Sequence, residues 1–241
     1  MLCALVMLMA TAFKSDNNCE SFFPTEVGTK WEITSYDGKD KVQSRSVSEL
    51  TALNNVADGV EAKINIEMFD QKDKSVNKGE VIMKCTQESF FMDMSNMFPK
   101  DQFEGMDDVT IEVTDQYMEF PSNPVAGQTL PDAESSMTVT MNGMQLMSMK
   151  MKTTNRKVVG NESVTTPAGT FNCVKYTYDT EVISAMFKSK SSATMYMAKN
   201  VGMVKMESID EKGKYPSKQI LTSFSKSYLC DIFLLLAFFY C

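Results

Sequence analysis

The chain of 241 residues predicts an all-β protein. Three observations carry that expectation. Val60, Ala62, Ile64, Ile66 and Met68 alternate with polar residues, as in a strand with one buried and one wet face. Turn dipeptides such as Asp37-Gly38, Asp58-Gly59 and Asn142-Gly143 recur at close to the spacing of an all-β sandwich or barrel. Only the stretch 96–106 reads as a helix.

The chain begins with an apolar run over 2–10, and Ala10-Thr11-Ala12 has the small-x-small form of a signal-peptide cleavage site. A signal peptide over 1–12 is therefore expected, though its basic start is missing, with a mature chain from Phe13. The other reading is a buried first strand or helix. Asp16-Asn17-Asn18 stand before Cys19 where lipoprotein processing would need small apolar residues, which disfavours that route.

Strands are expected over 31–36, 42–53, 60–69, 80–86 and 89–94, with a polar loop over 72–79. Asn96 is placed to cap the helix, Pro99 suits its first turn, and Phe98, Gln102 and Phe103 fall near helical spacing. A strand over 110–120 is stopped by Pro121 and Pro124, and a loop follows to 133. Asn142-Gly143 then forms a two-residue hairpin turn that pairs Met141 with Met144 and Val139 with Leu146. In that register Met147, Met149 and Met151 fall one residue out of phase. A β-bulge near Leu146-Met147 would return them to the apolar face; without one, both faces are buried. Thr166-Pro167-Ala168-Gly169 makes a sharp corner, since proline fixes φ and glycine permits the reversal. Strands over 171–182, 193–197, 202–209 and 218–224 complete the chain, with Gly213 at a left-handed position between the last two.

The run from Val164 to Tyr178, containing TTPAGTFNCVKYTY, and YMAKNVGMVKMESIDEKGK from Tyr196 resemble the TapB-like family of secreted bacterial proteins. CESFFPTEVGTKWEITSYDGK from Cys19 and FPSNPVAGQTLPDA from Phe120 fit as well, so the resemblance spans roughly Cys19 to Ser225. It implies an exported protein built as a large antiparallel, partly open barrel-like sheet, and it carries over no catalytic residue. With no linker rich in Gly, Ser or Pro, a single β domain over 13–226 is expected. The apolar segment 232–240 is about half the ~20 residues a spanning helix needs. The tail 227–241 reads as a segment outside the evolved domain, as a terminal strand or plug, or as a weakly inserting anchor, in that order. No stable membrane span is expected.

The formal charge of −7 argues against nucleic acid and against docking on anionic lipid by overall charge. Histidine is absent, which removes Ser-His and Cys-His nucleophiles, His bases and nearly all catalytic zinc sites. No Gly-x-Ser-x-Gly, Walker or Gly-x-Gly-x-x-Gly motif is present. A non-enzymatic protein with no cofactor is expected, although a glycosidase carboxylate pair is something sequence cannot single out.

The 21 methionines cluster on strands. They read first as adaptable core filler. They also read as the lining of an open barrel, where Phe90, Met92, Met147, Met149, Met151, Met195 and Met197 would hold a lipid-like apolar ligand. A soft-metal site for Cu(I) near Cys85 or Cys173 is the least favoured of the three, and no metal residues are assigned. Cys19, Cys85 and Cys173 allow one disulfide, Cys19–Cys85 first and Cys85–Cys173 second, or buried reduced thiols. Phe22, Phe23, Trp31 and Tyr36 read as core and rim packing. The leading expectation is thus a periplasmic or secreted binder of an apolar small molecule. The alternative is a structural or assembly protein of the cell envelope that binds another protein.

Overall fold

The computed structural model describes residues 21–95, 106, 108–114, 117–214 and 216–226. Their strands are β1 (Lys30–Asp37), β2 (Val42–Val56), β3 (Gly59–Asp70), β4 (Ser75–Thr86), β5 (Ser89–Asp93), β6 (Val109–Thr114), β7 (Tyr117–Pro121), β8 (Ala133–Met141), β9 (Met144–Thr166), β10 (Gly169–Ser184), β11 (Lys188–Ala198), β12 (Gly202–Asp210) and β13 (Ser217–Ser225). All belong to one antiparallel sheet of order β6-β8-β9-β10-β11-β12-β13-β1-β2-β3-β4-β5-β7. The all-β expectation holds, in the form of an unclosed, barrel-like sheet. The expected helix, apart from Met106, and the segments 1–12 and 227–241 lie outside the described residues.

The sheet is a meander joined through the pairing of β13 with β1, from Lys30↔Ser225 to Asp37↔Ser217. Its two edge strands, β6 and β7, are consecutive in the chain and separated only by residues 115 and 116. Three residue steps span at most ~11 Å, so the two edges of a thirteen-stranded sheet are held near each other by the chain itself. The single strand expected over 110–120 is therefore two strands. The first half pairs with β8 and the second with β5.

Arg156 on β9 reinforces this seam. Its guanidinium donates to the carbonyl of Pro131 at 2.6 Å and to the carbonyl of Glu119 on β7. It also sits 4.8 Å from the centroid of the Phe120 ring. The side chain is buried, and burial lowers its pKa from the ordinary value. Two main-chain carbonyls and an aromatic face thus receive the charge. Ser135 Oγ donates to Thr114 O at 3.0 Å, tying β8 to the end of β6.

One end of the barrel is filled by aromatic rings. Phe22 and Phe23, just before β1, pack on Phe90 at centroid distances of 6.0 and 5.9 Å. Phe90 packs on Phe120, and Phe120 meets the Tyr176 ring edge-on at 5.2 Å. Each fully buried Phe is worth about 2–3 kcal/mol of apolar burial, so this cluster dominates that end. The Asn200 N–H donates to the Ser21 carbonyl at 2.9 Å and anchors the plug to the β11–β12 turn. Beside it, Leu50, Ile64 and Val81 form one buried row across β2, β3 and β4.

Asn142 and Gly143 have φ of 51° and 76°, the two positive values the expected hairpin turn requires. Met141 pairs with Met144, but Thr140 pairs with Gln145 and Val139 with Met147. Leu146 is the extra residue, 48 % exposed, so the expected Val139–Leu146 pair does not form. This bulge places Met147 opposite Val139, Met149 opposite Met137 and Met151 opposite Ser135, on the apolar face. Two turn expectations change. The loop over 72–79 is shorter, because Ser75 and Asn77 already pair with β3. Gly59 has no positive φ; it is pressed against the β4 backbone, where a Cβ would lie 1.9 Å from the Cys85 carbonyl.

Two predictions follow from this packing. Arg156→Ala leaves two buried carbonyls unpaired, at roughly 1–3 kcal/mol each, so urea unfolding should show a loss of about 3 kcal/mol. Arg156→Lys, which has no fork to bridge both carbonyls, should recover less than half of it. The second concerns alkali. Burial pushes the Cys173 thiol up to about 11 and the Tyr178 phenol up to about 12. Burial raises Tyr176 as well; its buried hydroxyl has no partner among the described residues. All three are held neutral, so their contribution is complete below the ordinary thiol value of about 8.5 and is lost as pH rises through the folded values. The urea midpoint should therefore fall steadily from about pH 9 to about pH 12. Cys173→Ala should remove the earliest part of that fall.

Candidate functional site

The seven residues expected to line a ligand cavity belong to packed regions. Phe90, Met151, Met195 and Met197 are buried in the core, and Met92, Met147 and Met149 are half-buried against it. None of them lines a described cleft. The reason is steric: a wide, irregular barrel interior consumes long unbranched side chains as filler. The described cleft best suited to a small molecule lies elsewhere, beside β10–β13 and the β1–β2 loop, with a volume of about 610 Å³.

Ladder register builds this cleft. Tyr178, Ala193, Ser208 and Ser217 form one row across β10, β11, β12 and β13. Thr177, Thr194, Glu207 and Lys218 form the adjacent row. Both rows line the cleft, together with Ile209, Pro216 and the loop residues Asp37, Gly38 and Asp40. The β1–β2 loop closes tightly on the start of β13, since a Cβ on Gly38 would lie 2.5 Å from Pro216 Cγ. The Tyr178 hydroxyl donates to Met206 Sδ at 3.2 Å, so the ring is fixed from below.

The carboxylates are already committed. The β9–β10 register shifts between Thr177 and Asp179, next to Asn155 at φ 53°. There Ser192 Oγ donates to Asp179 Oδ1 at 2.6 Å and Asn155 Nδ2 donates to Oδ2 at 2.7 Å. Those two bonds, that from Ser192 first, hold Asp179 below the usual carboxylate range. Asp37 accepts the N–H groups of Lys41 and Lys39 at 3.0 and 2.8 Å and is lowered by them. Asp40 pairs with Lys218 at 2.6 Å, and that bond raises the lysine. Carboxylates held ionised accept hydrogen bonds, but they make poor general acids near neutral pH. The arrangement can orient a bound molecule through acceptors and hydroxyls around a small apolar floor.

Sequence reading missed these residues. The signal was present as small polar residues, Ser192, Ser208 and Ser217, one on each of three strands. Only the register shows that Ser208 and Ser217 pair, with Ser192 opposite Ile209 in the next row. For the cysteines, Cys85 is disulfide-bonded and Cys173 is a free, buried thiol. The second pairing considered, Cys85–Cys173, is thereby excluded: Cys173 is sealed in β10 and packs as a small apolar group. Cys19 lies outside the described residues. Among the described residues no group of three or more His, Cys, Asp or Glu is arranged to hold a metal ion, and no helix is long and apolar enough to cross a membrane.

Two solved structures share the fold over 86 % of this chain and 100 % of their own, each with a TM-score of 0.71. One is a candidate lipoprotein from Parabacteroides distasonis, 25 % identical. The other is a candidate exported protein with a YmcC-like fold from Bacteroides fragilis, 24 % identical. No curated protein sequence matches. The sequence matches the DUF3108-like family over residues 26–221, from just after the Phe22–Phe23 plug into the last strand, and the TapB-like name gains no support from that match. The chain belongs to the DUF3108-like family.

Proposed function

We propose that this protein is an exported, non-catalytic binding protein that takes a small amphiphilic molecule in the β10–β13 cleft. The observation that carries the reading is the cleft itself: about 610 Å³, within the ~300–1,000 Å³ of small-molecule sites, beside the packed core of the described residues. Its apolar floor, Tyr178, Ala193, Ile209 and Pro216, suits a short hydrocarbon or ring. Its polar wall sets the other half of the ligand. Asp37 and Asp179 are ionised carboxylates that keep lone pairs beyond their present partners, and Asp40 and Glu207 are taken by Lys218 and Lys205, so a hydroxyl or amine donor suits the wall better than an anion. This differs from a purely lipid-like ligand in a methionine-lined lumen.

Three features support the reading. The hydroxyl–carboxylate pair in the lining, Ser192 with Asp179, has an acceptor held below the usual carboxylate range and so a weak base, which favours binding over turnover. The Cys85 disulfide suits an oxidising compartment, and the lipoprotein description of the Parabacteroides relative points the same way. An assembly role by strand addition has less support, because the two sheet edges are brought against one another at the β6–β7 seam.

Native mass spectrometry of the gently purified chain tests the proposal. An extra mass of several hundred daltons, lost on solvent extraction, is expected. Ala193→Phe and Ser208→Phe fill the floor of the cleft, and each should lower occupancy tenfold or more without unfolding the protein. A bare mass in the unextracted sample, or equal occupancy in both variants, would sink the idea.

A further inference from the structure

Alternate turns of an antiparallel meander return to the same end. The β8–β9, β10–β11, β12–β13, β1–β2 and β3–β4 turns therefore stand along one rim, at the end away from the Phe22–Phe23 plug. Three of these turns repeat one design: Asp37-Gly38-Lys39-Asp40-Lys41, Asp70-Gln71-Lys72-Asp73-Lys74 and Asp210-Glu211-Lys212-Gly213-Lys214. In each, the first Asp carboxylate accepts the N–H groups of the third and fifth residues, at 2.5 to 3.1 Å. The fourth residue takes a positive φ of 60°, 57° and 70° respectively. Each leading carboxylate is turned onto its own backbone, and the two lysines are left exposed. Among the described residues, Lys39, Lys41, Lys72, Lys74, Lys212 and Lys214 form no ion pair; Asp40 and Asp73 are engaged by Lys218 and Arg45, which leaves Glu211 as the one exposed carboxylate of these loops that is likewise unpaired.

The other two turns carry apolar tips. Met186 and Phe187 on β10–β11 are 87 % and 47 % exposed, and Met144 on β8–β9 is 66 % exposed, with the bulged Leu146 beside it. Val42, Val76 and Ile209 are exposed next to the lysine loops. The plugged end instead exposes small valines, Val27, Val56 and Val125. Long apolar tips interleaved with unpaired lysines are the chemistry of an interfacial surface, where hydrocarbon enters the headgroup layer and ammonium groups meet phosphates.

We propose that this rim docks on an anionic lipid bilayer, with Phe187, Met186, Met144 and Leu146 entering the interface and the six loop lysines on lipid phosphates. The overall charge of −7 gives no net attraction; the rim selects the orientation in which unpaired cations face the membrane. A second copy docked rim to rim would bring the lysines against one another, which disfavours self-association through this face. The proposal does not depend on the cleft holding a ligand.

Brominated lipids test it on the full chain. Phe187→Trp places an indole on the rim and Val125→Trp places one at the plugged end; Trp31 is a constant, buried background. With phosphatidylglycerol–phosphatidylcholine vesicles carrying brominated chains, the Phe187→Trp indole should be quenched several-fold more than that of Val125→Trp. Replacing the six lysines with Gln should lower partitioning about tenfold or more, and raised salt should act in the same direction. Equal quenching of the two indoles would overturn the proposal. So would equal partitioning into pure phosphatidylcholine vesicles, or a Phe187→Trp indole shielded by self-association and untouched by brominated lipid.

Discussion

The passage of the chain from β6 to β7 is the constraint on which the rest of the structure depends. Two residues connect the opposite edges of a thirteen-stranded sheet. No flat or gently twisted sheet of that width can meet this condition, because neighbouring strands lie ~4.8 Å apart. The sheet must curl until its edges face each other. A ladder that is open by hydrogen bonding is thus closed by covalent continuity, and Arg156 fixes the join by serving carbonyls that a closed ladder would have satisfied elsewhere. Free sheet edges recruit other strands. Bringing both edges to one seam deals with that hazard and leaves the turns and the concave side available for binding.

Closure of so wide a sheet creates a second problem, an interior too large for ordinary aliphatic packing. Two devices meet it. At one end the segment before β1 inserts Phe22 and Phe23, and the aromatic cluster through Phe90, Phe120 and Tyr176 spans from β5 across the seam to β10. Along the wall, methionines of β8, β9, β11 and β12 fill the irregular remainder. Methionine in this protein is therefore first a packing material. The β10–β13 cleft lies where filling gives way to serine, threonine and alanine, whose small side chains leave volume unoccupied.

The two ends of the barrel consequently differ in chemistry. The plugged end is dense and apolar within, with short turns apart from the 122–132 loop. The rim carries the repeated Asp-x-Lys-x-Lys loops and the Met186-Phe187 tip, and the β1–β2 and β12–β13 loops also wall the cleft. In each repeated loop one carboxylate organises the backbone, so a composition that is charge-neutral residue by residue becomes asymmetric in space. Overall charge could not reveal this, since it counts residues without regard to direction.

By itself the sequence determined most of the strands, the Asn142-Gly143 turn, the corner at Pro167-Ala168, and the choice between a bulge near Leu146-Met147 and two buried faces, which the ladder register then settled as a bulge. These rest on local physics: side chains alternate with period two, and glycine or asparagine permits positive φ. It also carried the absence of histidine and hence the classes of chemistry left open. The tertiary structure alone decided the division of 110–120 between opposite edges, the role of Arg156, and the convergence of Tyr178, Ala193, Ser208 and Ser217. Those residues lie far apart in the chain and become neighbours only through register. A one-residue slip in register would send each side chain to the other face. For the same reason the methionines were legible as apolar but not as core or lining: alternation says which face a residue takes, and packing across the barrel decides whether that face is filled.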